Sequence, residues 1–371
     1  MSSHGETFRC GHALTTDPGE AVRLLTQQLE GPARGPGILY LSGPLVGETG
    51  TVVSGLAEMT GITDWVAASG HGVIAGTGEH FDTPAAAAMV LDVGPDDFRL
   101  FSGGAETGSA LRSDHGEWIE RATMPLALTH VNPRHRMAAA AVQGLADDTD
   151  SFLIGGIAAD GPLHPGQADT AVSGVAFSPV GVRVETALSQ GCTPLARAHE
   201  ITRCEDTVLL ELDGRPALDV FLEEIGPELR EDLRACAGRI FAALPVPGAD
   251  DGDYTVRHLV SIDPRNRSVG IAERVAKGDA VLFCRRDQAS AVADMYRMTG
   301  DLRRRIGESA IRGGIYVSCA GRGPNQFAAP ERETDIIARE LGAFPMIGFF
   351  ANGELSRNQI YGYTGVLTLF L

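Results

Sequence analysis

Lysine is almost absent from this sequence: thirty of its 31 basic residues are arginine, and Lys277 is the one exception. The bias runs along the whole chain, so an arginine carries no functional weight merely by being one. Positive charge is also scarce against the 48 acidic residues, leaving a net charge of −17. A chain so acidic offers no general face for nucleic acid or an anionic membrane, both of which need clustered cations. No window approaches the roughly 18 uninterrupted apolar residues of a membrane span. The amino terminus, MSSHGETFRCGHALTTD, lacks the basic segment and apolar run of a secretory signal.

The chemistry of common catalytic and metal sites is missing too. The six cysteines (10, 192, 204, 236, 284 and 319) show no CxxC spacing. That pattern fits reduced cytoplasmic thiols rather than a disulfide framework or a zinc site. Cys10 with His12, His71 with His80, and His130 with His135 are loose pairs without an HExxH or comparable spacing. There is no GxSxG elbow, no phosphate-binding loop around Lys277, and no evident Ser/His/Asp set. The reading is a soluble cytoplasmic protein without catalytic residues or a metal.

What is present is a long α/β pattern. With 371 residues, 43% of them hydrophobic, the chain can bury a large core and is long enough for about two to three domains. Phe8–Leu14 reads as a strand. Asp17-Pro18-Gly19-Glu20 then carries a capping-box signal for a helix with Val22, Leu25 and Leu29 on one face. Strands follow at 37–42, 64–68 and 85–92, with a helix at about 50–60. Asn132-Pro133 predicts a helix through about Leu145, followed by a strand over 152–161. Residues 174–190 read as a hairpin and 207–214 as a further strand. Helices are expected at 215–225 and 227–243, then a loop over 243–253. The acid-rich stretches 147–150 and 249–253 are read as solvated loops. Toward the carboxyl end come a strand at 279–284, a helix at 288–306, a strand at 313–319, a helix at 330–341 and strands at 345–350 and 365–371.

The two ends run in the same order. Pairing ILYLSG (38–43) with IYVSCAG (315–321) also pairs AASGHG (67–72) with FFANGE (349–354) and AAAAMVL (85–91) with GVLTLFL (365–371). An internal duplication is inferred, with two pseudo-repeated α/β domains, 1–200 and 201–371, mixed sheets and a β-rich centre in a layered sandwich. Strand ends opening into glycine turns are where α/β sheets present ligand crevices. Three turns stand there: Ser69-Gly70-His71-Gly72, Cys319-Ala320-Gly321-Arg322-Gly323 and Ala351-Asn352-Gly353-Glu354. Gly321-x-Gly323-x-x-Gln326 is not a dinucleotide fingerprint. Glu331, Glu333 and Asp335 at the following helix start oppose phosphate. Arg322 could clamp a carboxylate or could pair with a nearby acid. Asn352-Gly353 could be a plain hairpin turn. Cys319 reads more readily as a buried thiol than as a nucleophile.

QGCTPLARAHEITRCEDTVLLELDGRPALDVFLEEIG (190–226), GGIAADG (155–161), VSCAGRG (317–323) and GFFANGELS (348–356) resemble the FIST module. FIST stands for F-box and intracellular signal transduction, and the module pairs FIST-N and FIST-C domains. The resemblance implies a sensory domain for small ligands such as amino acids, met alone or fused to signalling outputs. Some bacterial relatives bind haem and sense nitric oxide. A stand-alone protein is expected, signalling through a separate partner. The expected ligand site is Ser69, Gly70, His71, Cys319, Gly321, Arg322, Gly323, Asn352, Gly353 and Glu354. No cofactor is expected; haem through His71, or catalysis by Cys319 as nucleophile, are the alternatives.

Overall fold

In the computed structural model the described residues are 8–32, 34–160, 170–246 and 254–371. They form two compact units, Met1–Ser189 with Met295–Leu371, and Gln190–Asp294. Neither unit is a sequence half such as 1–200 or 201–371, because strands from both ends of the chain pair in the same sheets of the first unit.

That unit contains one supersecondary pattern three times, where the sequence reading found it twice. The first copy is β1 (Arg9–Ala13), α1 (Pro18–Gln28), β2 (Gly37–Ser42), α2 (Thr49–Thr60), β3 (Trp65–Ser69), a hairpin of β4 (Gly72–Ala75) and β5 (Gly78–Phe81), and β6 (Ala85–Val90). The second is β7 (Phe98–Gly103), α3 (Thr107–Ala122), β8 (Leu126–Val131), α4 (Ala138–Thr149), β9 (Phe152–Ile157) and β10 (Val172–Phe177). The third opens with β11 (Val184–Ser189) and is then interrupted by the second unit. That unit holds β12 (Thr193–Pro194), β13 (His199–Glu205), β14 (Val208–Leu212), β15 (Arg215–Pro216), α5 (Ala217–Glu224), α6 (Pro227–Glu231), β16 (Ile240–Pro245), β17 (Tyr254–Asp263), β18 (Ser268–Ile271) and β19 (Ala280–Arg285). The third copy resumes with α7 (Gln288–Ile306), β20 (Gly313–Cys319), α8 (Glu333–Leu341), β21 (Met346–Ala351), a hairpin of β22 (Glu354–Arg357) and β23 (Gln359–Tyr361), and β24 (Gly365–Phe370).

Strand order proves the equivalence. The three sheets run β1-β6-β2-β3, β7-β10-β8-β9 and β11-β24-β20-β21, each with one parallel pair at its third and fourth strands. The first copy's hairpin pairs β4 with β21 of the third sheet, and the third copy's pairs β22 with β9 of the second. Each handover ties one sheet to the next. Inward residues at two-residue spacing, Ile38 and Tyr40, Leu126 and Leu128, Ile315 and Val317, fill one core common to all three sheets. Outward residues meet helices: Leu39, Leu41 and Trp65 pack with Leu25, Val52 and Leu56, while Ala127 and Leu153 pack with Ile119, Ala141 and Leu145. On α7, Met295, Met298, Leu302 and Ile306 are buried as their spacing predicts, and Val292 is half-buried.

The second unit is an antiparallel sheet of order β19-β13-β14-β18-β17-β16 that closes through a β16–β19 pairing into a barrel around Phe221, Phe283 and Ile201.

Several local readings change. Residues 174–190 are no hairpin: β10 pairs with β7 and β8, whereas β11 pairs with β24. The helix expected over 227–243 stops at Glu231, and Ile240–Pro245 is a strand because its apolar residues line the barrel. Asn132 caps only a turn, accepting from Arg134 N at 3.0 Å, and α4 starts at Ala138. Asp147 and Asp148 lie in the last turn of α4 rather than in a loop. Pro330 precedes α8 by a short turn. Asp17 caps α1 through Glu20 N at 2.7 Å, but Glu20 returns its carboxylate to Thr15 rather than to the cap. The stretch 249–253 and Gly161 lie outside the described residues.

Gly348 shows why the sheets tolerate few substitutions. A Cβ there would sit 1.7 Å from the Tyr316 carbonyl oxygen on the partner strand. Gly348→Ala is therefore expected to cost about 3 kcal/mol or more, measured as a lower urea midpoint at unchanged slope.

Candidate functional site

Every parallel pair in the first unit ends at one pole of its sheet, and there the three crossing turns meet. His71 N donates to Phe350 O at 2.9 Å, Asn352 N donates to Ile157 O at 2.9 Å, and Ala159 N donates to Ser69 O at 2.9 Å. The contacts form a cycle through all three copies. Asn352 is its hub: Oδ1 faces His71 Nε2 at 2.8 Å, while Nδ2 donates to Ala158 O at 2.9 Å and Ala159 O at 3.4 Å. An oxygen acceptor at Oδ1 requires the His71 proton on Nε2. Asn352-Gly353 is not a hairpin turn, since β21 and β22 belong to different sheets and the chain crosses between them there. Ser69 Oγ accepts from Asp160 N at 2.9 Å and also contacts Asp160 O.

Beside this rim lies a buried polar network. Arg322, on the turn after β20, is 0% exposed. Its Nε donates to Glu333 Oε1 at 2.8 Å, Nη1 donates to the Ser189 and Tyr363 carbonyls at 3.1 and 3.2 Å, and Nη2 donates to Ser189 Oγ at 3.2 Å. Phe327 covers the guanidinium, with its ring centre 5.0 Å away. Glu333 opens α8 and also accepts from Tyr316 Oη at 2.6 Å, Ser318 Oγ at 2.9 Å and Gly323 N at 3.2 Å. Gly323 has φ +50°, and a Cβ there would meet Phe350 at 2.8 Å. The motif thus joins β11, β20, α8 and the segment before β24 around one compensated ion pair.

Cys319 and Glu354 form a second buried pair. Glu354 Oε2 accepts from Thr364 N at 3.1 Å and Oγ1 at 2.6 Å, and the Cys319 thiol lies against the same carboxyl. Burial pushes the Glu354 carboxyl up to about 8 against the opposing Thr364 hydrogen bonds, so it is largely protonated at neutral pH. Burial, with help from Glu354, pushes the Cys319 thiol up to about 12. A thiol held protonated is a poor nucleophile.

Deeper on the same axis His130 is completely buried, its Nε2 3.3 Å from Tyr40 Oη and its Nδ1 without a partner. Tyr40 and Phe349 enclose the ring. Burial alone lowers its pKa to about 3. To one side, Glu79 accepts from Thr334 N at 3.0 Å, capping α8, and burial with the nearby Glu333 raises its carboxyl to about 7.

The ten sequence-chosen residues all stand at this pole but in two settings. His71 and Asn352 are exposed and touch. Ser69, Gly70, Arg322, Gly323, Gly353 and Glu354 are buried; Cys319 is nearly so, and Gly321 is half-buried. Arg322 spends its donors inside the protein, and no charge of Glu354 reaches the surface. Two exposed charges at the same pole escaped the sequence reading. Arg134, after β8, pairs with Asp160, after β9, at 2.7 Å, with side chains 74% and 55% exposed. Asp160 sits inside the motif GGIAADG and was legible there; Arg134 carried no local signal. His71 Nε2 is engaged by Asn352, which leaves Nδ1 as the ring nitrogen that could meet a haem iron.

Family models match most of the chain. The FIST N domain matches residues 37–215 and the FIST C domain residues 217–357. The chain belongs to the FIST family. It is similar to an uncharacterized protein of Mycobacterium tuberculosis (strain H37Rv), 28% identical over 323 aligned positions covering 81% of this chain and 82% of the relative. An uncharacterized protein of Mycobacterium bovis is likewise 28% identical over 396 aligned positions, covering 98% of this chain and 99% of the relative. The boundary between the two family domains falls inside the barrel unit, at β15.

Two predictions follow from the buried groups. Arg322→Met strands the Glu333 carboxylate and is expected to cost about 3–5 kcal/mol, only partly recovered in Arg322→Met/Glu333→Leu because that change leaves Tyr316 Oη, Ser318 Oγ and Gly323 N without their acceptor, as read by urea unfolding. His130, Glu354 and Glu79 should also make stability greatest near pH 4.5, because between 4.5 and 6.5 the two raised carboxyls together outweigh His130. From roughly pH 6.5 down toward 3 the unfolded chain takes up a proton that folded His130 refuses, at about 1.4 kcal/mol per pH unit. From about 4.5 up to 8 the folded chain keeps a proton on Glu354 that the unfolded chain releases, and Glu79 acts in the same direction up to about 7. His130→Phe should flatten the fall below pH 4.5 and Glu354→Gln should reduce the fall between 4.5 and 8, both read from unfolding midpoints against pH.

Proposed function

We propose that this FIST protein is a non-enzymatic sensor of a small polar metabolite, with an amino acid as the best-fitting class, bound at the three-turn rim. The carrying observation is the Asn352 hub. One exposed side chain holds all three turns and stands with His71, Asp160 and Arg134, a set that offers neutral hydrogen bonding and both charges at one pole. Such a set matches the amine, carboxylate and polar side chain of an amino acid. A ligand that engages Asn352 acts on three sheets at once, which suits a family associated with signal transduction. The protonated Cys319 thiol favours this reading over covalent catalysis. The six cysteines, all free, suit the reducing cytoplasm, and among the described residues no helix is long and apolar enough to cross a membrane. The acidic surface leaves nucleic acid and membrane outside the partner list, so the signal passes to a separate protein.

A thermal-shift screen of the amino acids and related metabolites tests the reading. A true ligand at a hundredfold excess over its Kd should raise Tm by about 5 °C, and Asn352→Ala should abolish the rise. A screen without hits, or a shift that survives Asn352→Ala, sinks it.

A further inference from the structure

The opposite end of the second sheet carries a second concave site. A cavity of about 610 Å³ opens where β9 begins and β22 ends, lined by Met124, Ala146, Asp147, Asp150, Phe152 and Arg357, with Ser151 and Asn358 completing it. That volume lies within the range of small-molecule sites, roughly 300–1,000 Å³. The lining has an ordered chemistry. Phe152, Met124 and Ala146 supply apolar wall. Arg357 supplies a guanidinium. Asp147 and Asp150 supply carboxylates at the carboxyl end of α4, whose last turn contains no basic residue to offset its negative pole. Among the described residues Asp147 accepts from the neutral Gln143 amide, at 2.8 and 2.9 Å.

The backbone converges there as well. Met124, Asp150 and Arg357 have φ of 64°, 51° and 59°, in the left-handed region that side chains with a Cβ seldom occupy. Methionine and arginine are not among the residue types enriched in that region. Met124 remains 53% exposed, an apolar side chain held open at the cavity mouth.

We propose that this cavity is a second binding site, for a zwitterion with an apolar middle and of dipeptide size. The ammonium lies toward Asp147, Asp150 and the α4 end, the carboxylate toward Arg357, and the carbon body on Phe152 and Met124. The volume exceeds what one amino acid fills, and the lining combines both signs of charge with apolar side chains. The site is separate from the rim. β9 runs from Phe152 at the cavity to Ile157 at the rim, and β22 returns antiparallel from Glu354 to Arg357.

The test is a methyl spectrum of the full chain labelled with ¹³C-methyl methionine, which has eight methionines, titrated with L-leucyl-L-leucine. The expected result is a saturable shift of the Met124 signal, with affinity weakened about tenfold or more in Asp150→Asn and in Arg357→Gln. N-acetyl-L-leucine amide, which lacks both charges, should give no saturable shift. Unchanged methionine signals elsewhere show that each variant is folded. No saturable Met124 response, an equal response to the uncharged analogue, or unchanged affinity in both variants overturns the proposal. Asn352→Ala should leave the Met124 response intact, and its loss there would overturn the separation of the two sites. A failed amino-acid screen with the Met124 response present refutes the rim reading alone.

Discussion

The larger unit depends on one constraint: three sheets bury their inner faces in a single shared core. None of these four-strand arrays can bury both faces by itself. Helices cover the outer faces, and only the other two sheets can cover the inner ones. Ile38, Leu128 and Val317 come from segments far apart in the chain, yet they occupy the same interior. The hairpins handed from one copy to the next add main-chain hydrogen bonds to that apolar closure. The closure also explains how the barrel unit is accommodated. It interrupts the third copy between its first strand and the rest, and β11 still finds β24 because their pairing closes the third sheet.

Closing three copies around an axis brings three equivalent turns to one pole, and the copies then differ in what they place there. The first contributes Ser69 and His71, the second Ala158, Ala159 and Asp160, the third Asn352. Asn352 is the hub because its amide accepts from the first turn through Oδ1 while donating to the second through Nδ2. Just beneath, the same convergence traps ionisable groups. Arg322 and Glu333 compensate each other, whereas Glu354 and Cys319 adapt by staying protonated and His130 by staying neutral. A pole wet on its outer surface and desolvated a few ångströms below suits a binding site, since a bound ligand completes the exclusion of water.

Much of the fold was legible in sequence. Continuous apolar runs located β2, β6, β20, β21 and β24, buried on both faces, and the Met295–Met298–Leu302–Ile306 spacing marked α7. The duplication was legible because ILYLSG and IYVSCAG share a strand followed by a small-residue turn. Its third copy was not, because no strand was read over LALTHV, whose apolar run is broken by Thr129 and the buried His130. The hairpin read over 174–190 failed for a related reason. Alternation shows that a strand has one buried face but says nothing of which strand lies beside it.

The candidate site divides along the same line. By itself the sequence determined the kinds of group available: glycine turns at strand ends, one thiol, one guanidinium, one amide and one carboxylate. Those follow from local pattern, which is short-range physics. Which of them face solvent was decided only by tertiary structure. Burial turned Arg322 and Glu354 from prospective ligand contacts into internal partners and left His71, Asn352, Asp160 and Arg134 at the surface. Desolvation and hydrogen-bond pairing depend on neighbours supplied by all three sheets, and chain-local pattern contains no record of those neighbours.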